Sequence, residues 1–214
     1  MATKNTKKQN RKLKASLTAW KMEKLKSEAS VVLNTTISQK KMMQKTNEHG
    51  CKTAETNVWT VASWFLNQNS LRESELQRLC YFAQYVYIVC NNDTDTPEDE
   101  IRTLFPEKFE AWIDGPVCRR IYDEFRSWGI RKIPKSRSEI NLPEKAEKAV
   151  REVWNCYKDR LMCGSKLDDA ARATLPWIIA RGDAHPLDAC TTEISNISFL
   201  NAAKQKEEKN VRFR

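Results

Sequence analysis

Catalysis and metal binding draw on a short list of side chains, and this chain places few of them together. Its 214 residues include two histidines, His49 and His185, and seven cysteines: Cys51, Cys80, Cys90, Cys118, Cys156, Cys163 and Cys190. No CxxC pair occurs and neither histidine lies near a cysteine cluster, so the ligand spacing of a four-coordinate zinc site is missing. Several cysteines fall inside apolar helical patterns, where a reduced thiol packs as a small hydrophobe. A Cys–His or Ser–His nucleophile pair has no motif to announce it. The acidic stretch Asp93, Asp95, Glu98, Asp99 and Glu100 lacks the glycine and the distal glutamate of a calcium loop, and reads as a solvated helix start. Five glycines, none grouped into a phosphate-cradling loop, complete the inventory. The expectation is a binding protein and not an enzyme, with no catalytic residues, no metal and no cofactor.

The charge is distributed unevenly. Thirty-seven Lys and Arg against 28 Asp and Glu give a formal charge of +9, and residues 1–48 alone hold twelve basic and three acidic residues, so the whole excess lies there. No run approaches the roughly 18 consecutive apolar residues that a membrane helix needs. The basic start lacks the apolar core of a secretion signal. Unpaired cysteines fit a reducing compartment. A cytoplasmic protein with no membrane partner is expected.

Few glycines and prolines favour helices over a barrel or sandwich. The expected fold is mainly α: a compact multi-helix domain over 57–203, with a basic N-terminal extension over 1–56 and a charged tail over 204–214. The extension comprises a polar arm (1–12), a weakly patterned helix from Leu13 to Val32 and a polar linker. The run VWTVASWFL opens the domain. Ser70 and Glu73 match a capping box before a helix whose Leu76, Leu79, Cys80, Ala83, Val86, Tyr87 and Cys90 form a broad apolar face central to the core. Thr96-Pro97 signals another start.

Gly115-Pro116 forces a break, after which Pro116 is placed to begin a helix that buries Val117, Ile121, Phe125 and Trp128 and that Gly129 closes. The connection near 130–142 has room for a short β-hairpin, with Ile130 and Ile133 its only inward candidates. A long amphipathic helix follows from Pro143 to about Cys163. Ser165 with Asp168, Pro176-Trp177 and Ser195 mark three further starts. Trp112, Trp128, Trp154 and Trp177 read first as core or half-buried packing, since aromatics at helical spacing usually pack inward.

Three blocks in order carry a resemblance. EAWIDGPVCRRIYDEFRSWG (110–129), ELQRLCYFAQ (75–84) and LPWIIARG (175–182) resemble the signature blocks of the Panacea domain, the SocA-like or phage-associated GepA-type family, across about residues 57–200. The chain departs from that pattern where Glu75 and Arg78 stand at family lysines, and where Ala171, Arg172 and Thr174 replace a Thr-His pair and a Glu. The resemblance implies an antitoxin that neutralises a cognate protein toxin, encoded next door, by direct contact. One branch of that family looks like an adaptor that hands its toxin to protease machinery.

The motif residues are Trp112, Asp114, Gly115, Pro116, Val117, Arg119, Tyr122, Phe125, Pro176, Trp177 and Arg181. They are candidates either for partner contact or for a fold staple, with Trp112, Asp114, Arg119 and Tyr122 the likeliest contacts on the binding reading. A competing reading has residues 1–48 gripping nucleic-acid phosphates without sequence specificity; another has a phage protein binding a host factor.

Overall fold

The computed structural model describes residues 54–137, 139–160, 165–185 and 187–212. The expected arm, weak helix and most of the linker lie outside the described residues. The last linker residues belong to the body, because the Glu55 and Thr56 amides donate to the Thr103 and Leu104 carbonyls.

The architecture is mainly helical. Helix α1 (Val58–Gln68) is capped by the Asn57 side chain, which accepts from the Thr60 amide. Helix α2 (Glu73–Asn91) follows. A two-stranded antiparallel sheet, β1 (Glu110–Trp112) and β2 (Gly115–Val117), leads into α3 (Arg119–Phe125). Then come α4 (Glu144–Tyr157), α5 (Ser165–Arg172), α6 (Leu175–Arg181) and α7 (Asn196–Arg212). Among the described residues no helix is long and apolar enough to cross a membrane.

Helix α2 is the axle, packing against α1, α4, α5, α7 and β2. Every residue from Glu75 to Val89 is buried, polar ones included. One side supplies apolar contacts; Phe82, for example, stacks on Tyr157 of α4 at 4.8 Å. The other side satisfies the backbone of an irregular segment. Gln84 Oε1 accepts from the Leu104 and Phe105 amides at 3.0 and 3.2 Å, while its Nε2 donates to the Phe105 carbonyl at 3.1 Å. Gln77, one heptad earlier, accepts from the Cys118 amide and donates to the Cys118 carbonyl. Asn92 does the same for both backbone groups of Arg102. Buried amides must be paired, and here side chains supply what a neighbouring strand would.

Several local expectations shift. Among the described residues of 130–142 no hairpin forms: Ile133 makes an isolated bridge to Leu71, and a strand pair lies at 110–117 instead. Ile133 is buried, whereas Ile130 is 91% exposed and not an inward residue. Pro116 and Val117 lie in β2, so α3 begins later than the proline suggested. The capping pair is Arg72 with Glu75, whose carboxylate accepts from the Arg72 amide at 2.8 Å, because α2 starts at Glu73. Thr96-Pro97 opens only a 3-10 turn, Glu98–Glu100. Helix α4 ends at Tyr157 and passes into another 3-10 turn, Lys158–Arg160. The Ser195 hydroxyl donates to Glu98, and α7 continues through the expected tail.

The Gln84 contacts yield a test. Gln84→Leu keeps the volume but leaves two amides and one carbonyl unpaired in a closed core, and should cost about 2–4 kcal/mol in urea unfolding. A change below about 0.5 kcal/mol would mean that water replaces the amide and that the segment is not held by α2.

Candidate protein-binding face

The turn between β1 and β2 is built on a buried arginine. Arg78, on α2, is 2% exposed. Its Nη1 donates to the Pro116 carbonyl and its Nη2 to the Asp114 carbonyl, both at 2.6 Å, and its Nε donates to Asp168 Oδ1 on α5 at 2.9 Å. Burial lowers the guanidinium pKa, against the raising influence of Asp168, Glu73 and Asp114. Burial also raises the Asp168 pKa, against the lowering influence of Arg78. Desolvation outweighs attraction on both sides, and what the contacts of Arg78 visibly do is fix where the turn lies. The arginine keeps its charge, since a guanidinium does not deprotonate in proteins.

Gly115 lies flat against that guanidinium. Its φ is +124°, and a Cβ there would stand 2.8 Å from Arg78 Nε and 2.9 Å from Cζ. Both the conformation and the close approach demand glycine. The Gly-Pro pair is therefore a staple: Gly115, Pro116 and Val117 are all buried. Asp114 contributes its carbonyl to Arg78 while its side chain stays exposed.

What the staple presents is Trp112. Glu110 uses both carboxylate oxygens here, Oε2 accepting from the Trp112 indole at 2.7 Å and Oε1 from Arg119 Nε at 2.6 Å. The Arg119 guanidinium lies over the Trp112 ring at 5.4 Å, and Tyr122 packs against that ring at 4.9 Å. The indole is half-buried and held on three sides, a preorganised aromatic anchor of the kind that dominates protein interfaces. Burial pushes the Glu110 pKa up, but the hydrogen bonds from Arg119 and Trp112 outweigh it and hold the carboxyl below its usual range.

The late block converges on the same place. Trp177 Nε1 donates to the Trp112 carbonyl at 3.1 Å. Arg181 is buried; it donates to the His185 and Asp188 carbonyls at 2.8 and 3.0 Å and to Ala111 at 3.5 Å, and lies over the Trp177 ring at 5.5 Å. Pro176 is buried. Phe125 is the exception, packing edge-on against Trp59 of α1 at 6.3 Å. Ten of the eleven motif residues thus belong to one assembly, half of them as its frame: Gly115, Pro116, Val117, Pro176 and Arg181.

Sequence reasoning missed three groups. Arg78 and Asp168 form the frame's centre. Glu110 orients the anchor. Ile178 and Ile179, which follow Trp177 on α6, and Leu187 in the loop beyond are 45%, 53% and 77% exposed. Residue type alone gave no signal for this last group, since adjacent helical residues can both be buried, as Ile88 and Val89 are on α2. Asp114, Asp183 and Asp188 in the same stretches of chain are exposed as well.

Gly115→Ala should destabilise the fold by about 3 kcal/mol, from φ strain plus the clash with Arg78. In an Arg78→Met background part of that penalty should vanish, giving a coupling of about 1 kcal/mol or more in a double-mutant cycle. Simple additivity would separate the two residues. Glu110 supplies a pH test: its pKa is depressed in the folded state, so its contribution is complete above the ordinary glutamate range and fades as pH falls through the lowered value. The Trp112 indole N–H resonance should hold its position at neutral pH and move only in that acid window, and Glu110→Gln should abolish the transition.

The chain matches no known family of sequences, no curated protein and no solved structure.

Proposed function

We propose that this protein acts by binding another protein through the face built from Trp112, Tyr122, Trp177, Ile178, Ile179 and Leu187, and that its partner is a small toxin that it neutralises. The observation that carries the reading is the grouping of exposed apolar side chains. Among the described residues four large hydrophobics are more than about a third exposed, and three of them lie on or just beyond α6, the helix whose Trp177 is hydrogen-bonded to Trp112. A contiguous apolar patch with a polar rim is the usual anatomy of a protein interface. The toxin is drawn from the resemblance of the three sequence blocks to Panacea antitoxins, and from it alone. Binding needs no active site, and the assembly around Trp112 holds no nucleophile–base pair among the described residues.

The experiment is co-expression with the open reading frame beside this protein's own. Relief of that neighbour's toxicity and recovery of a complex support the reading. Ile178→Asp with Ile179→Asp should abolish both relief and complex while moving the melting temperature by no more than about 3 °C, since both side chains face water. Retained rescue would place the contact elsewhere. A harmless neighbour that never co-purifies defeats the toxin reading itself. If the partner also disappears faster from cells when this protein is present, the adaptor role is the better description.

A further inference from the structure

Beyond residue 48 the charge of the chain balances overall but not locally. Between Glu124 and Glu139 the sequence carries Arg126, Arg131, Lys132, Lys135 and Arg137 and no acid. All five are exposed. Among the described residues none of them is paired with a carboxylate, although the fold pairs Arg119 with Glu110, Arg120 with Glu107 and Arg172 with Asp169.

These cations are carried on a fixed backbone. The Leu71 and Ile133 backbones exchange hydrogen bonds at 3.2 and 2.7 Å, and the Ser136 amide donates to the Leu66 carbonyl at 3.0 Å. Ile133 is buried between its exposed neighbours Lys132 and Pro134. Arg131 braces the preceding turn: Nε donates to the Trp128 carbonyl at 3.3 Å, Nη2 to the Ser127 carbonyl at 3.1 Å, and the guanidinium lies over the Trp128 ring at 5.4 Å. Mutual repulsion of like charges on a pinned backbone costs folding free energy, which a bound polyanion would offset. Because the backbone is already ordered, binding loses little further entropy.

Three polyanion surfaces could be met. A membrane-seated loop needs an apolar tip, and here Ile130 is a single exposed aliphatic, which is ordinary on any surface. An acidic protein face needs an apolar centre to accompany its charges, which this strip lacks. A nucleic-acid backbone needs only a line of cations. Residues 131–137 span at most about 20 Å, on the scale of a short single-stranded segment. Three of the five cations are arginines, whose planar donor fork suits phosphate. We infer that residues 126–137 form a nucleic-acid-binding strip on the body, which holds single strands through their phosphates without reading bases.

The test uses the full chain, so that the basic residues of 1–48 are present throughout, and follows the anisotropy of a labelled oligothymidine of about thirty nucleotides. The variant is Arg126→Gln/Lys132→Gln/Lys135→Gln/Arg137→Gln, with Arg131 kept because it braces the turn. Each phosphate contact on a single strand contributes about 0.7 to the slope of log K against log salt, so four lost contacts should lower the slope by about 3. Affinity at low salt should fall about tenfold or more, with an unchanged circular dichroism spectrum. If the fourfold variant fails to fold, Lys132→Gln/Lys135→Gln should give about half the slope change. Unchanged affinity and slope would overturn the inference and leave any binding to residues 1–48. Loss of binding to phosphatidylserine vesicles with oligothymidine binding intact would overturn it too, and assign the strip to a membrane surface.

Discussion

A guanidinium taken out of water must find an acceptor for each of its donor directions, and most of this structure around the Trp112 turn follows from how Arg78 does so. It reaches two carbonyls of the β1–β2 segment and one carboxylate on α5, which ties α2 to two segments far from it in sequence. The turn can approach that closely only because Gly115 has no side chain. Once the turn is seated, the Trp112 carbonyl is in place for the Trp177 indole, and Arg181 closes the loop that follows α6. An aliphatic residue at position 78 could fill the volume, but it would leave the turn free to settle in other registers. What the buried charge contributes is the position of the turn.

The same logic extends along α2. A helix buried on every side normally carries apolar residues all round, yet this one buries Gln77, Arg78 and Gln84. Their side chains replace a missing strand, each amide pairing with backbone groups of residues 104–118. An irregular segment can therefore cross the core without orphaned amides, and the sheet can stay as small as two three-residue strands.

The helices and the turn were legible from sequence because their causes are local. Apolar residues three and four apart announce α1, α2 and α4, and Gly115-Pro116 announces a turn. The staple was not legible, because its cause is a contact 38 residues long between Arg78 and the Pro116 carbonyl. A basic residue in a helix reads as solvent-facing, and nothing in the sequence around Arg78 announces a buried contact. Pro116 looked like a helix start for the same reason: its backbone angle suits both, and only Arg78 decides. Ile130 and Ile133 could not be told apart by type. The bridge to Leu71 selects Ile133 for the core and strands Ile130 in water.

Two surfaces of opposite character therefore meet at α3. The stapled turn runs directly into it, and the cationic strip begins where it ends. Ile121 anchors the helix in the core, Tyr122 faces Trp112, and Phe125 faces Trp59. Coupling between two ligand sites requires an element with two arrangements, each preferred by a different ligand. Helix α3 is held at its start by the Gln77–Cys118 hydrogen bonds, along its length by Ile121 and at its end by Phe125, contacts that tie it to the body throughout. On that geometry a protein at the apolar face and a strand at the cationic strip would bind additively, and any cooperativity between them would have to pass directly from one ligand to the other.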